Sequence, residues 1–460
     1  MLNFATRYHD LMTQAKKVYA ETYGCQMNFS DTEIVFSILQ NNGYEITPEI
    51  READLILLNT CSIRDHAEQR VIKRLGALKA LRKKKPGTVI GVLGCMAERL
   101  KEQLLQEQDH IDLIIGPDAY RDLPKLLEEV ESGQKGINVL LSAEETYADI
   151  RPVRPSSCGV TAFISIMRGC TNYCSYCVVP YTRGRERSRD PESIVREAEE
   201  LFRQGYREVT LLGQNVNSYS FQSGGHDVSF PELLSRVSAI DDALRIRFAT
   251  SHPKDLSDEL IRVIADHPNI ARCIHLPLQS GSARILQLMN RKYDPEYYME
   301  RVTRIRSLIP GCSITTDLIA GFCTETELDH EDTLRMMQSV HFDSAFMFRY
   351  SERPGTPAAE KLRDDVPEEI KTRRLNEIIA LQQELSLKSN KADIGKTFSV
   401  LTEGYSRRSS DHLAGRNSMN KLVVFPSTHF RPGDYAKVKI LRCTSATLIG
   451  EPVSENTASS

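Results

Sequence analysis

Residues 163–189 read FISIMRGCTNYCSYCVVPYTRGRERSR, and this stretch decides the fold of the region around it. Its apolar opening predicts a strand, which leads directly into Cys170, Cys174 and Cys177. Three thiolates can bind three irons of a cubane cluster, because soft sulfur ligands suit iron–sulfur centres. The spacing supplies no fourth cysteine, so it predicts a cluster whose last iron takes a non-protein ligand. A zinc site completed from elsewhere is the alternative, disfavoured because no second CxxC is paired with the first.

A series of alternating strand and helix patterns follows these cysteines. Strands are predicted over 208–213, 246–250, 273–279, 314–321 and 344–351, and helices lie between them, for example over 191–204 and 295–308. Such a series predicts a full or partial barrel, whose ligands bind beyond the carboxyl ends of the strands. The polar and small residues at those ends are Gly213, Gln214, Asn215, Ser251 and Gln279. For each of them, a turn or cap without a ligand is the alternative.

Residues 17–130 carry a strand–helix alternation of their own, which predicts a parallel α/β layer. Cys25, Cys61 and Cys95 each follow the predicted end of a strand and precede a helix. Carboxyl ends of parallel strands share one edge of a sheet, and helix N-termini favour thiolates, so the three should converge. They predict a second three-cysteine cluster, with three unrelated buried cysteines as the alternative. Residues 132–157 are less patterned and are interpreted as a linker.

After a predicted helix at 366–392, the pattern changes to short strands at 397–404, 421–425, 434–443 and 447–450, typical of a small antiparallel β-barrel. Residues 397–452 carry eight Lys or Arg against four Asp or Glu, whereas the whole chain has a net charge of −3. The basic character is therefore local to this barrel.

Composition sets the broad class of the protein. A chain of 460 residues is long enough for about three domains. Its 11 cysteines are odd in number and spread over a long chain, which argues against a disulfide scaffold. No apolar run reaches the ~18 residues of a membrane span, and the first residues lack the apolar core of a signal peptide. We therefore expect a cytoplasmic protein without membrane association.

Together these motifs resemble the methylthiotransferase family of radical-S-adenosylmethionine (radical-SAM) enzymes, over about residues 17–452. The further matching motifs are TYGCQMN (22–28), LLNTCSIRDHAEQR (57–70), VLGCMAE (92–98), HLPLQSGS (275–282), LMNRKY (288–293) and YSERPGTPAA (350–359). The resemblance implies an N-terminal methylthiotransferase domain (16–131), a radical-SAM partial barrel (156–392) and a C-terminal TRAM RNA-binding barrel (393–455). One departure is that Cys323 and Thr324 stand where the family usually has Pro and Gly, which changes the turn chemistry. We expect Cys323 to be a packed thiol.

The resemblance also implies the cofactors, namely two 4Fe–4S clusters and SAM. The radical-SAM cluster would be held by Cys170, Cys174 and Cys177, and the auxiliary cluster by Cys25, Cys61 and Cys95. Tyr176 would pack near the adenine of SAM, together with the residues at the strand ends. One SAM would methylate a sulfur at the auxiliary cluster, and a second would be cleaved to methionine and a 5′-deoxyadenosyl radical.

Within the family, the resemblance is greatest to members that put a methylthio group on C2 of dimethylallyl (isopentenyl) adenosine at tRNA position 37, next to the anticodon. The implied partners are the tRNA anticodon stem-loop and an electron donor of the flavodoxin or ferredoxin type, and we expect a monomer. Phosphate contacts are assigned to Arg407, Arg408, Arg416 and Lys421, with a solvated basic face as the alternative. The loop 183–189 is assigned to RNA or cluster-proximal contacts. The same chemistry on threonylcarbamoyl-adenosine or on a ribosomal protein stays open, as does a non-catalytic iron–sulfur RNA-binding redox sensor.

Overall fold

The computed structural model describes residues 15–62, 65–155 and 158–453, which fall into two compact units. The first unit contains the described residues up to 155 together with 181–184, and the second contains the rest. Positions 63 and 64 of the LLNTCSIR motif lie outside the described residues, as do the expected domain limits at 156 and 455. The division into three domains therefore stays a prediction.

The first unit is built on one parallel sheet with the strand order β2-β1-β3-β4-β5-β6. Its elements are β1 (Lys17–Tyr23), α1 (Gln26–Asn41), β2 (Glu45–Ile46), β3 (Leu55–Thr60), α2 (Asp65–Lys84), β4 (Val89–Gly94), α3 (Cys95–Glu107), β5 (Leu113–Ile115), α4 (Leu123–Glu131) and β6 (Gly136–Asn138). β3 is buried along its whole length because helices cover both faces of the sheet. One core packs α1 and α4 on one face, and a second packs α2 and α3 on the other.

Residues 136–155 correct the linker prediction. β6 pairs in parallel with β5, Tyr147 is buried, and the backbone N–H of Val153 donates to the carbonyl of Glu33 at 3.0 Å. This segment therefore belongs to the first unit. The sequence missed it because a three-residue strand and one buried aromatic side chain produce no periodic signal. Positions 156 and 157 of the predicted linker lie outside the described residues.

The second unit opens with a partial barrel of six parallel strands taken in chain order. Its elements are β7 (Thr161–Ser165), β8 (Met167–Arg168), α5 (Val179–Arg183, which runs into the segment 181–184), β9 (Arg187–Ser188), α6 (Pro191–Arg203), β10 (Glu208–Leu212), β11 (Ser220–Ser223), β12 (His226–Ser229), α7 (Phe230–Ser238), β13 (Arg245–Ala249), α8 (Asp258–Asp266), β14 (Cys273–His275), α9 (Ala283–Leu288), α10 (Pro295–Leu308), β15 (Ser313–Ala320), α11 (Glu327–Val340), β16 (Ser344–Arg349), α12 (Pro357–Lys361) and α13 (Glu368–Lys391). The barrel strands form two sheets, β7-β10-β13 and β14-β15-β16, and a bridge from Ile246 to Ile270 links them. One continuous core lies between these strands and their helices.

The C-terminal part of this unit is a closed barrel with the order β17-β18-β19-β21-β20, around its own apolar core. Its strands are β17 (Thr397–Ser406), β18 (Ser409–Arg416), β19 (Leu422–Pro426), β20 (Tyr435–Cys443) and β21 (Leu448–Pro452). β18 was not predicted, because its sequence SSDHLAGR is mostly polar. The barrel is also not wholly antiparallel, since β19 and β21 pair in parallel. Among the described helices, none is long and apolar enough to cross a membrane.

Candidate metal centres

The first cysteine triplet lies at the carboxyl edge of the N-terminal sheet. β1, β3 and β4 are neighbours, and their last residues align in the register Tyr23, Thr60 and Gly94. Cys25 caps the N-terminus of α1, Cys61 follows β3, and Cys95 is the first residue of α3. The thiol of Cys25 lies within hydrogen-bonding reach of Cys61 and in the electrostatic field of Cys95. The structure therefore brings the three predicted ligands of the auxiliary cluster together.

Two glycines let the backbone approach closely at this edge. Gly24 has a φ of +136°, and a Cβ there would lie 2.3 Å from the Cβ of Cys61. Gly94 has a φ of +88°, and a Cβ there would lie 2.5 Å from the side-chain oxygen of Asn59. Larger residues would displace the neighbouring ligand strand. The two glycines therefore fix how closely the cysteine-bearing turns pack.

A ladder of buried amides holds these turns together. Asn28 Nδ2 donates to Asn59 Oδ1 and to the carbonyl of Thr60, both at 3.0 Å, and Asn59 Nδ2 donates back to the carbonyl of Asn28 at 2.8 Å. Neither asparagine is exposed to solvent. The thiol of Cys25 donates to Asn28 Oδ1 at 3.2 Å. Reciprocal side-chain bonds of this kind fix the spacing of the elements that carry the ligands.

Arg183 is the cation of this site, and it belongs to the first unit although it lies beyond the second cysteine motif in sequence. Its Nε–H donates to Cys95 Sγ at 3.1 Å, and its Nη2 donates to Asp31 Oδ2 at 2.7 Å. The pKa of Cys25 is lowered to about 6, first by its hydrogen bond with Cys61 and also by the charge of Arg183. Burial raises the pKa of Cys95, and Arg183 opposes that rise. The site thus favours the thiolate, the form that binds iron, at Cys25, and Arg183 partly offsets the effect of burial at Cys95.

The second triplet lies in the loop that follows β8, beyond the carboxyl end of β7. Burial raises the pKa of Cys170 to about 11 and also raises that of Cys177, and the neighbouring thiols add to both effects. Cys174 is buried beside them. The loop is held by Ser175, the first of the two residues between the last two cysteines. Its N–H donates to the carbonyl of Met289 at 3.0 Å, and its Oγ donates to the carbonyl of Leu288 at 2.8 Å.

Arg291 is a buried residue of this second site that sequence reasoning did not single out. Its Nη1 donates to Cys174 Sγ at 3.2 Å and to the hydroxyl of Tyr176 at 3.5 Å, while Nη2 donates to the carbonyl of Pro277 at 3.0 Å. The only sequence signal was its place in the LMNRKY motif. Tyr176 itself packs edge-on against Phe322, with ring centroids 6.4 Å apart. Each cysteine triplet therefore has one buried arginine bonded to one of its sulfurs.

Four of the cofactor-binding residues predicted at strand ends lie within three residues of the ends of β10 and β13, namely Gly213, Gln214, Asn215 and Ser251, whereas Gln279 lies four residues beyond the end of β14. Leu212 of β10 aligns with Ser165 of β7 and Ala249 of β13, so the residues that follow these strands emerge at one edge. Gly213 is required there, because a Cβ would lie 2.4 Å from Met167 Cγ. Gln279 bonds through its backbone to Asp317 and Ile319 of β15, and so reaches the corresponding edge of the second sheet.

Unsatisfied polar atoms at this edge test whether SAM would fit. Within the described residues, Gln214 Oε1, Asn215 Oδ1 and Ser251 Oγ are buried and make no hydrogen bond. His252 Nε2 is in the same state, and burial lowers the pKa of His252 to about 2. Buried polar atoms normally have partners. A ligand rich in hydroxyl, amino and carboxylate groups, as SAM is, fits this edge.

Among the described residues, no three His, Cys, Asp or Glu side chains could hold a single metal ion. A cubane differs from a single ion because each thiolate binds a different iron, so the three sulfurs need not converge on one point. The donor chemistry of both triplets, cysteine sulfurs with an arginine N–H donating to one of them, fits iron–sulfur clusters.

The four predicted RNA-binding residues divide into two pairs. Arg407 and Arg408 occupy the exposed turn between β17 and β18. Arg416 is half-buried and its Nη1 donates to the carbonyl of Asn420 at 3.0 Å, whereas Lys421 Nζ forms a 2.7 Å ion pair with the buried Asp393. Only the first pair presents free charge to solvent, and the RNA contacts of all four stay predictions.

The loop 183–189 is used largely inside the protein. Arg183 bonds Cys95, Arg187 is buried in β9, and Arg189 forms a 2.5 Å ion pair with Glu197. Arg185, by contrast, is exposed. The contact between Arg183 and Cys95 therefore supports the predicted cluster-proximal role of the loop. Within the described residues, none of these contacts bears on RNA binding by the loop.

The departure at 321–326 has a visible backbone consequence. Thr324 adopts a φ of +62°, a conformation that suits the glycine expected there and is strained for a β-branched residue. Its N–H donates to Asp365 at 2.7 Å, and Arg284 donates to its carbonyl at 2.7 Å. Cys323 is fully buried in an apolar cluster with Phe322, as expected for a packed thiol.

Comparison with known proteins gives matches along the whole chain. Residues 17–116 match the Uncharacterized protein family UPF0004, residues 164–337 the Radical SAM superfamily, and residues 391–453 the TRAM domain. A tRNA-2-methylthio-N(6)-dimethylallyladenosine synthase from Parabacteroides distasonis is 55% identical over 440 residues, covering 96% of each chain. The synthase of the same name from Chloroherpeton thalassium is 56% identical over 437 residues, covering 95% of this chain and 96% of that one.

Solved structures with a similar fold are more distant in sequence. The radical S-adenosylmethionine methyltransferase TsrM from Kitasatospora setae aligns with a TM-score of 0.57 at 15% identity, covering 75% of this chain and 74% of that one. The cobalamin-dependent radical enzyme OxsB aligns with a TM-score of 0.53 at 13% identity, covering 82% and 57%. At such identities the likeness is one of fold.

Proposed function

The chain belongs to the methylthiotransferase family of radical-SAM enzymes, and on that premise we propose that it puts a methylthio group on C2 of dimethylallyl adenosine at tRNA position 37. The observation that carries the proposal is the pair of cysteine triplets, each at the carboxyl edge of its sheet. They occur in a chain that is 55% identical to a synthase named for this product over 96% of its length. The family expected from the sequence, of the MiaB type, is thus confirmed.

The residues of the chain would each have a limited task. When bound, two 4Fe–4S clusters and SAM supply the radical and sulfur chemistry that protein side chains lack. Cys25, Cys61 and Cys95 would hold one cluster, and Cys170, Cys174 and Cys177 the other. The buried polar atoms of Gln214, Asn215 and Ser251 would bind the polar groups of SAM, and Tyr176 would pack against its adenine. The burial of Cys61, Cys95 and Cys174 would limit the access of water to the reactive groups.

The RNA grip is proposed for the exposed turn of the C-terminal barrel. Arg407 and Arg408 are joined there by Tyr405, whose ring is 61% exposed at the end of β17. Arginines contact phosphates, and an exposed aromatic ring can stack on an unpaired base. For the electron supply we propose a small flavodoxin or ferredoxin, and we expect the enzyme to act as a monomer.

Cysteine variants test the assignment of each cluster. Cys174→Ala should abolish 5′-deoxyadenosine formation, because SAM would lose its cluster. Cys61→Ala should retain some SAM cleavage but give no methylthiolated product. Cys158→Ala, an exposed cysteine outside both triplets, is the matched control and should behave as wild type. Methylthiolation that survives in either triplet variant would contradict the assignment of that cluster.

Substrate choice is tested with the anaerobically reconstituted protein, a chemical reductant and SAM. Three substrates are compared: an anticodon stem-loop with dimethylallyl adenosine, one with threonylcarbamoyl-adenosine, and a ribosomal protein. Mass spectrometry should find the methylthio product only with the first. Methylthiolated product on either of the other two substrates would show that the protein performs the same chemistry on that substrate instead. Cluster binding without any 5′-deoxyadenosine would support the redox-sensor alternative instead.

A further inference from the structure

A buried ion pair lies directly beside the auxiliary cysteines and is not needed to ligate iron. Arg183 and Asp31 are joined at 2.7 Å, and their side chains are 3% and 0% exposed. The hydroxyl of Tyr120 donates to the same Asp31 oxygen at 3.4 Å. A further contact of the guanidinium is the 3.1 Å bond from its Nε–H to the sulfur of Cys95.

Stability alone is a weak reason for this arrangement. Removing two charges from water costs several kcal/mol per ion, and the attraction between them commonly does no more than offset that cost. Apolar residues of similar volume would fill the space as well. What apolar residues cannot do is direct an N–H and a positive charge at a ligand sulfur. The planar guanidinium donates to Asp31 through Nη2 and to Cys95 through Nε, so the carboxylate fixes its orientation.

Charge and hydrogen bonds at the sulfurs are among the main controls of cluster potential. An N–H donor and a nearby cation both stabilise the reduced, more negative state of an iron–sulfur cluster, and so raise its reduction potential. Such partners also hold the ligand in its binding orientation. Both effects are available to Cys95, because Arg183 contacts its sulfur directly.

We propose that Arg183, oriented by Asp31, is a positioning residue of the auxiliary cluster that holds the Cys95 sulfur in place and raises the reduction potential of the cluster. The proposal rests on the proposed function only in that Cys25, Cys61 and Cys95 hold a cluster. The residue reaches the auxiliary site from the segment 181–184, which packs within the first unit.

The test uses the full chain with Cys170, Cys174 and Cys177 replaced by Ala, so that the auxiliary cluster alone reports. In this parent, Arg183→Gln removes the positive charge and replaces the charged donor with a neutral amide, which is a weaker hydrogen-bond donor. Arg183→Lys keeps a charge, but its single nitrogen would stay with Asp31 and leave the sulfur without a donor. Arg185→Gln, an exposed arginine two residues on, is the matched control. Redox titration followed by electron paramagnetic resonance gives the potential, and iron per chain gives the occupancy.

At one fixed ambient potential, we expect the ratio of oxidised to reduced cluster to rise at least tenfold in Arg183→Gln, about 59 mV for a one-electron couple. Arg183→Lys should shift in the same direction by less, and Arg185→Gln should match the parent. Potentials equal to the parent in both Arg183 variants would overturn the proposal.

Iron per chain decides the outcome when a variant fails to bind the auxiliary cluster. Loss of iron from both Arg183 variants, with the melting temperature of the iron-free protein unchanged, would support the positioning of Cys95. Loss of iron together with a lowered melting temperature of the iron-free protein would reveal a merely structural pair and overturn the proposal. If the parent binds no iron at all, the assignment of an auxiliary cluster to Cys25, Cys61 and Cys95 is wrong, and that part of the proposed function fails instead.

Discussion

Gly24→Ala is expected to remove the auxiliary cluster while leaving the rest of the protein folded. A Cβ at position 24 would lie 2.3 Å from the Cβ of Cys61, and real Cβ atoms stay beyond about 3.0 Å. Cys61 must therefore move by roughly 0.7 Å, whereas metal sites tolerate deviations of only about 0.2 Å in ligand distance. The φ of +136° adds a second penalty, because side chains rarely adopt it.

Gly43→Ala is the matched control for this change. Gly43 also has a positive φ, +82°, but a Cβ there would meet no atom within 4 Å. Gly43→Ala should lose about 1–2 kcal/mol of unfolding free energy to backbone strain. Gly24→Ala should lose about 1–3 kcal/mol to strain at its own positive φ, and about 1–3 kcal/mol more through overpacking. Both variants thus carry backbone strain, and only Gly24→Ala adds the contact with Cys61.

The assay is iron and sulfide per chain after anaerobic reconstitution, in the parent that lacks the Cys170, Cys174 and Cys177 thiols. The parent and Gly43→Ala should each hold about four irons, and Gly24→Ala should hold less than about one. Circular dichroism at 25 °C should show all three proteins folded. A full complement of iron in Gly24→Ala would refute the reasoning, since it would mean that the turn adapts without moving its ligand.

Four further outcomes are expected. Thr324→Gly should raise the unfolding free energy, measured by chemical denaturation, by about 0.5–1 kcal/mol, because glycine adopts the positive φ at this position without strain. An unchanged or lower unfolding free energy would show that the turn is not strained. Folding lowers the pKa of His252 from 6.5 to about 2, so the imidazole takes up a proton when the chain unfolds below pH 6.5. Between pH 6.5 and 5, the wild type should therefore lose about 2 kcal/mol of unfolding free energy relative to His252→Gln. Parallel pH profiles of the two proteins would contradict this. Replacing both Arg407 and Arg408 by Gln should weaken tRNA binding and reduce its salt dependence in filter-binding assays without changing the melting temperature. Lys421→Gln should instead lower the melting temperature, since it breaks a buried ion pair; the reverse pattern would reassign the RNA contacts.

Much of the site could be predicted because its signals are local. Each of Cys25, Cys61 and Cys95 follows an apolar run, and parallel strands must bring their carboxyl ends together. The same reasoning placed Gly213 and Ser251 at one edge of the barrel. Strand limits were reliable to within one residue where the runs were long, as at β10 and β15, but β14 ends at His275 and not at 279.

Sequence reasoning missed the contacts between residues that are far apart in the chain. Asp31 and Arg183 are separated by 152 positions, and Arg291 and Cys174 by 117. Neither partner carries a local pattern that identifies the other. Lys421 is a further example, because its position in a basic segment suggested a phosphate contact, which stays a prediction, while the structure pairs it with a buried acidic side chain. Its partner, Asp393, lies just after the end of α13. The sequence does not indicate which part of the protein that end of the helix faces.

The path of the chain has a consequence for how the protein is made. Residues 181–184 pack with the first unit although the residues on both sides of them belong to the second, so the polypeptide crosses between the two units three times. When residue 155 has left the ribosome, the N-terminal half still lacks the arginine that Asp31 pairs with, and it must wait for later translation to acquire it. A fragment truncated at residue 155 would therefore be an incomplete half, and the two halves cannot be exchanged between relatives as independent modules.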